Sequence, residues 1–132
     1  MDERARSGGA VLACIALLAL GACGLGGEKQ SFEDAAQLTG GHPHAGRKKA
    51  REYGCGSCHT IRGVPGATSM VGPPLTGMGE RMYIAGTLTN TPQHLIRWIQ
   101  DPPSIDSATA MPNVGVTEAD ARDIAAYLYA IP

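Results

Sequence analysis

The residues best equipped for chemistry stand together at Gly54-Cys55-Gly56-Ser57-Cys58-His59-Thr60. Two thiols three positions apart, followed at once by an imidazole, form the C-x-x-C-H pattern that attaches c-type haem. The spacing suits the chemistry. Each thiol adds to one of two vinyl groups on the same porphyrin edge, and the next residue, His59, is left beneath the iron as its nitrogen ligand. Three other uses of these residues compete. A thioredoxin-like C-x-x-C needs a βαβ context, and no alternating strand pattern surrounds Cys55. A zinc site asks for four ligands in tetrahedral array, and Cys55, Cys58 and His59 leave the fourth unnamed. A plain Cys55–Cys58 disulfide would be strained and would leave a weak core unexplained.

With His59 on one face of the iron, the donor on the other face separates electron transfer from ligand chemistry. Met70, Met78, Met82, Met111, His42, His44 and His94 are the candidates. Met70 follows His59 closely in the chain, and Met78 and Met82 lie in the connection that must wrap the haem edge. Gap filling, for which Met is well suited, is the plain role for each. His94, three residues into a helix, reads as facing solvent or a propionate, and His42 and His44 beside Gly40-Gly41 read as a solvated pair. Met111 differs: it precedes Pro112 in a turn-rich segment between two helices that could sandwich the porphyrin. It is the expected sulfur ligand.

Few regular elements are available to position these groups. Thr91-Pro92 supplies an N-cap followed by Pro at the first helical position, and Leu95, Ile96, Trp98 and Ile99 recur at helical spacing until Asp101-Pro102-Pro103 ends the run. A last helix begins at Thr117, with Glu118 and Asp120 where the macrodipole favours acids and an apolar stripe of Ile124, Tyr127, Leu128 and Ile131. A third is expected from about Ala45 to Tyr53, delivering the chain into Cys55. Gly63 to Gly79 is too rich in Gly and Pro to be regular. The chain of 132 residues holds 18 Gly, 9 Pro, one Phe and one Trp, so its own side chains make a poor core and something else should fill the middle. A formal net charge of −1, from 11 basic and 12 acidic residues, argues against a nucleic-acid binder.

The N-terminus reads as an address. Charged residues precede an apolar run from Ala10 to Leu20, too short to span ~30 Å of hydrocarbon as a helix and suited to the core of a secretory signal. Leu20-Gly21-Ala22-Cys23 resembles the lipobox of bacterial lipoproteins, in which the Cys is lipidated and becomes the first mature residue. The competing reading is an ordinary signal peptide cut near Ala22, with Cys23 an idle thiol. Residues 1–22 are therefore expected to be a lipoprotein-type signal peptide, 23–44 a flexible Gly-rich tether and 45–132 the folded domain.

Several motifs together carry a resemblance. Cys55 to His59, Gly72-Pro73-Pro74-Leu75, the helix end from Trp98 to Pro102, Met111-Pro112 and Asp123-Ile124-Ala125-Ala126-Tyr127-Leu128 resemble, in this order, a class I cytochrome c. Gly86-Thr87-Leu88-Thr89-Asn90-Thr91-Pro92, leading to Arg97-Trp98-Ile99, is similar to the cytochrome c domain fused to subunit II of some bacterial haem–copper oxidases, and to small lipoprotein cytochromes encoded near them. The resemblance implies an all-α fold, three or more helices and Gly/Pro-rich loops around one covalent haem c. It implies thioether attachment at Cys55 and Cys58 and axial ligation by His59 and Met111. It also implies a Pro73 carbonyl accepting from His59 Nδ1–H, Leu75 on the haem face, Trp98 beside the Met ligand, and Arg81 and Tyr83 as propionate partners. Tyr127 would lie where the terminal helices cross. The family's aromatic four residues before the first Cys is here Arg51, and Gly46 is one position off the customary register, so Ala50 and Tyr53 are expected at that crossing.

A His/Met pair saturates both axial positions, and the soft thioether favours Fe(II). No carboxylate pair, Ser/His/Asp set or phosphate-cradling loop suggests catalysis. The expectation is a one-electron carrier held outside a bacterial membrane by lipidated Cys23, working between a quinol-oxidising complex and a haem–copper terminal oxidase, with no nucleic acid and no small-molecule substrate. A gas-binding or peroxidatic haem protein with a labile sixth ligand is one alternative. A docked redox subunit of an oxidase or reductase complex is another.

Overall fold

A computed structural model of the chain describes residues 25–132; the signal-peptide and Cys23 assignments lie outside the described residues. Ser31–Pro132 forms one compact unit, and the packing that follows is internal to it.

Helix α1 (Leu25–Thr39) occupies most of the stretch expected as a flexible tether. Phe32, Ala35 and Thr39 recur at i, i+3 and i+7, enough to give a short chain a buried stripe. The Phe32 ring lies 4.8 Å from that of His44 and meets Tyr127 edge-on at 6.3 Å. Ala35 and Thr39 are buried, and Arg122 Nη1 donates to the Thr39 carbonyl at 3.3 Å. Residues 31–44 are thus bound to the folded domain.

Helix α2 (Pro43–Glu52) starts two residues before the expected Ala45, because Pro43 stands at the first helical position, where a missing N–H costs nothing. It carries the chain into a 3₁₀ turn, Cys55–Ser57. A second such turn, Met78–Glu80, precedes a two-residue antiparallel pairing of β1 (Tyr83–Ile84) with β2 (Leu88–Thr89). Helix α3 (Pro92–Gln100) begins as its sequence dictates: the Thr91 side chain accepts from His94 N at 3.2 Å, Pro92 follows, and Leu95, Ile96, Trp98 and Ile99 are buried. The short α4 (Pro102–Ile105) follows. Helix α5 (Glu118–Ala130) is capped by Thr117 and buries Ala121, Ile124, Ala125, Ala126, Tyr127, Leu128 and Ala130.

The crossing of α2 and α5 organises the domain. Ala50 and Tyr53 take part as expected, but the closest approach belongs to Gly46: a Cβ there would lie 1.8 Å from the Asp123 carbonyl oxygen. Ala50 is fully buried beneath it. At the helix start, His42 N–H donates to Asp123 Oδ1 at 2.7 Å. At the other end, Tyr53 Oη–H donates to Asp120 Oδ2 at 2.7 Å while Lys49 Nζ stands 3.3 Å from Asp120 Oδ1. The Tyr53 hydroxyl foremost, with Lys49 and Thr117, holds the Asp120 carboxyl below its ordinary value. Tyr127 Oη–H closes the far side on the Arg62 carbonyl at 2.6 Å. Among the described residues, no helix is long and apolar enough to cross a membrane.

Two expected outcomes test this crossing. Gly46→Ala forces the helices apart and should destabilise the purified protein by about 1–3 kcal/mol or more, read as a lower urea midpoint at unchanged slope. Tyr53→Phe removes the largest influence lowering the Asp120 pKa. A depressed carboxyl stabilises above its unfolded-state value and ceases to do so as pH falls through its folded-state value. The stability gap between wild type and Tyr53→Phe should therefore be full at neutral pH and close as pH drops below about 4.

Candidate haem site

Between α3, α5 and the loops lies a cavity of about 330 Å³, within the size range of cofactor sites. The chain reaches it along routes that the expected motifs mark. Cys58 and His59 enter from the turn after α2. Gly72, Pro73 and Leu75 come from the following loop, Leu95, Trp98 and Ile99 from α3, Thr109 to Pro112 from the segment between α4 and α5, and Leu128 from α5. Every main ligand and wall residue expected from sequence is brought to one place except Cys55, which is half-buried and packs on the core instead of lining the cavity. Burial pushes its thiol above the ordinary value, with the nearby Cys58 adding to the effect. The two thiols are not joined as a disulfide.

His59 is buried and oriented. Its Nδ1 lies 2.7 Å from the Pro73 carbonyl oxygen; a carbonyl only accepts, so Nδ1 carries the proton and Nε2 keeps its lone pair free for a metal. Gly72 makes room for the ring, since a Cβ there would sit 2.5 Å from His59 Cε1. Gly72 N–H also donates to the Cys58 carbonyl at 2.6 Å, and Leu75 N–H to that of Thr60 at 2.9 Å, which pins the loop against the C-x-x-C-H turn.

The sulfur candidates separate by position. Met70 and Met82 are 83% and 78% exposed. Met78 lines the cavity but is a buried member of the core cluster, filling space. Met111 lines the cavity from a half-buried position, its N–H donating to Thr109 Oγ1 at 3.2 Å. His94 lies outside the lining and spends Nδ1 on the Thr89 carbonyl at 2.8 Å; His42 and His44 are exposed. Among the described residues, no group of three His, Cys, Asp or Glu could hold a metal ion, so the zinc reading lacks its ligand set there.

Of the two expected propionate partners, Arg81 lines the cavity and Tyr83 does not. Successive side chains of a strand point to opposite sides: Ile84 takes the inward place in β1 and leaves Tyr83 56% exposed. Arg81 Nη2 donates to the Pro74 and Thr76 carbonyls, the latter at 3.0 Å. Ile84, Ala85 and Thr109 line the cavity without having been singled out from sequence. The first two sit in a hairpin too short to leave a period-2 pattern, and its turn pair Ala85-Gly86, both at positive φ, is not among the Asn-Gly, Asp-Gly or Gly-Gly pairs that announce such a turn.

The residues present fit a haem. They offer two unpaired thiols, an imidazole with one nitrogen tied back and the other free, a thioether, largely apolar walls, and a glycine whose missing side chain makes way for the proximal ring.

The family model for cytochrome c matches residues 43–131. Cytochrome c oxidase subunit 2 of Alkalihalophilus pseudofirmus is 38% identical over 84 residues, which is 63% of this chain and 24% of that protein, so the chain spans about a quarter of its relative's length. No solved structure gives a significant match. Fold, motif order and family match agree: the chain belongs to the cytochrome c family, electron-transfer proteins whose cofactor is covalent haem c.

Proposed function

We propose that this haem c protein is a lipid-anchored carrier of single electrons on the outer side of a bacterial membrane, linking a quinol-oxidising complex to a haem–copper terminal oxidase. The observation that carries the electron-transfer part is the pairing of a tied-back His59 with Met111 around one apolar cavity. Haem c, when bound, supplies reversible one-electron exchange between Fe(III) and Fe(II). The chain does the rest. Cys55 and Cys58 would hold the porphyrin through their sulfurs. His59 Nε2 and Met111 Sδ would hold the iron, and the Pro73 carbonyl keeps the imidazole in one orientation and raises its basicity. Leu75, Leu95, Trp98, Ile99 and Leu128 keep water out, which disfavours the more highly charged oxidised iron. Arg81 gives only Nη2 to backbone carbonyls among the described residues, so Nε and Nη1 are left for a propionate.

The oxidase partner is favoured by the named relative, an oxidase subunit. It is also favoured by the exposed Met70 beside Val71, itself exposed at the cavity lining, and by the exposed Met82 and Tyr83, which follow Arg81. Apolar side chains so exposed suit a protein contact. The anchor rests on the Leu20-Gly21-Ala22-Cys23 motif; several acyl chains on one residue would hold the protein stably at a membrane.

Absorbance of the purified protein in both oxidation states, with and without carbon monoxide, tests the site. The expected result is a low-spin spectrum indifferent to the gas, and ready uptake would instead establish the gas-binding alternative. Met111→Ala should lower the reduction potential by on the order of 0.2 V, within the ~0.8 V that axial ligands span, and open the iron to carbon monoxide; an unchanged potential refutes Met111 as ligand. Cys23→Ser should move the protein from the membrane pellet to the soluble fraction, and continued sedimentation with membranes refutes the lipid anchor.

A further inference from the structure

Asn90 makes more hydrogen bonds than its place in a loop before α3 requires. Its Nδ2 donates to the carbonyls of Met78 at 2.7 Å and Arg81 at 2.8 Å, spending both amide hydrogens. Its Oδ1 accepts from Tyr129 Oη–H at 2.6 Å, and its backbone N–H donates to Met82 O at 2.9 Å. Nothing about starting a helix calls for this, since Thr91 already caps α3. The amide orientation is forced: the nitrogen faces two acceptors and the oxygen faces a hydroxyl. Burial pushes the Tyr129 phenol up to about 12, so it remains a donor throughout the physiological range.

The turn that Asn90 grips begins and ends on cavity-lining residues, Met78 and Arg81. Arg81 in turn grips the Pro74 and Thr76 carbonyls, in the loop whose Pro73 carbonyl holds His59 Nδ1. A continuous line of hydrogen bonds thus runs from Tyr129 on α5, through Asn90 and Arg81, to the loop that orients the imidazole. We propose that Asn90, keyed by Tyr129, is a positioning residue for the redox site: it fixes the Met78–Arg81 turn so that Arg81 clamps the 73–76 loop and keeps the Pro73 carbonyl on His59. The proposal rests on His59 being the axial nitrogen ligand. No shorter or longer side chain reproduces the arrangement. Ser lacks the second donor, Gln adds a methylene, and Asp would turn an acceptor toward two carbonyl oxygens.

Loosening the clamp weakens the His59–Pro73 hydrogen bond, lowers the basicity of the imidazole and so stabilises the oxidised iron less. The test uses the haem-loaded full chain in wild-type, Asn90→Ala, Tyr129→Phe, Arg81→Ala and Asn90→Ala/Arg81→Ala forms. Midpoint potential is read by spectroelectrochemistry, and exchange of the His59 Nδ1 proton by NMR of the reduced protein. Asn90→Ala should raise the potential and speed the exchange several-fold, and Tyr129→Phe should do both to a smaller extent. In the double variant, exchange should be no faster than in Arg81→Ala alone, because Asn90 acts through Arg81. A variant of lower stability with unchanged potential and exchange reduces Asn90 to a structural residue and overturns the proposal. So do a lowered potential, which signals water entry, and additive effects on exchange. Should Asn90→Ala not mature, Tyr129→Phe decides by the same two readings. Failure of the underlying reading shows differently, as wild-type protein that takes up carbon monoxide or lacks a His59 resonance shifted by the haem.

Discussion

An imidazole that must present one nitrogen to a metal needs its other nitrogen held, and here the Pro73 carbonyl holds it at 2.7 Å. Much of the domain can be traced from that contact. The carbonyl reaches the imidazole because Gly72 before it lets the backbone close on the ring. The loop stays in place because Gly72 and Leu75 donate their amides to the carbonyls of Cys58 and Thr60, the residues on either side of His59. Thiols, imidazole and carbonyl are thereby fixed by a segment of little regular structure. In such a segment backbone hydrogen bonds, in place of helix geometry, must supply rigidity.

The helices serve that segment from outside. Gly46 and Ala50 let α2 and α5 approach so closely that a Cβ at Gly46 would meet the Asp123 carbonyl. The approach sets where α2 ends, hence where Cys55 begins. Tyr53, Lys49 and Asp120 at one end and His42 with Asp123 at the other hold the crossing angle by directional contacts. In a protein with one Phe and one Trp, Leu95, Trp98 and Ile99 of α3 and Leu128 of α5 face a cavity, an arrangement that makes sense when a flat, apolar cofactor completes the core.

How much of this was legible depended on whether a feature declares itself locally. The attachment motif, the Thr91-Pro92 and Thr117 caps and the apolar stripes of α3 and α5 each sit within a few residues of what they specify, and all are where the sequence puts them. The Pro73 contact was legible only through family resemblance, since nothing in Gly-Pro-Pro-Leu says which carbonyl an imidazole will find. Helix α1 was missed because its buried stripe consists of one aromatic and two small residues, too weak a signal in a polar stretch until Tyr127 and Arg122 give it a surface to lie on. That Tyr83 would be the outward and Ile84 the inward residue of β1 was not legible, because a two-residue strand does not advertise its alternation. Gly46 was judged by register against a family pattern, whereas the packing asks only for a residue without a side chain at the point of closest approach.

An electron carrier benefits when its metal ligands move little between oxidation states, and the two candidate donors meet that demand by different means. His59 is held through its own ring, by a neutral carbonyl that persists at any physiological pH. Met111 has no polar atom to tie, so its position must come from backbone and packing: Thr109 Oγ1 takes its amide at 3.2 Å, Pro112 restricts the next φ, and Trp98 shares the same cavity wall. A thioether held by packing is the more easily displaced of the two. Integrity of the α3 wall therefore matters more to the sulfur side than any single hydrogen bond does, while the nitrogen side depends on a chain of hydrogen bonds reaching back to α5.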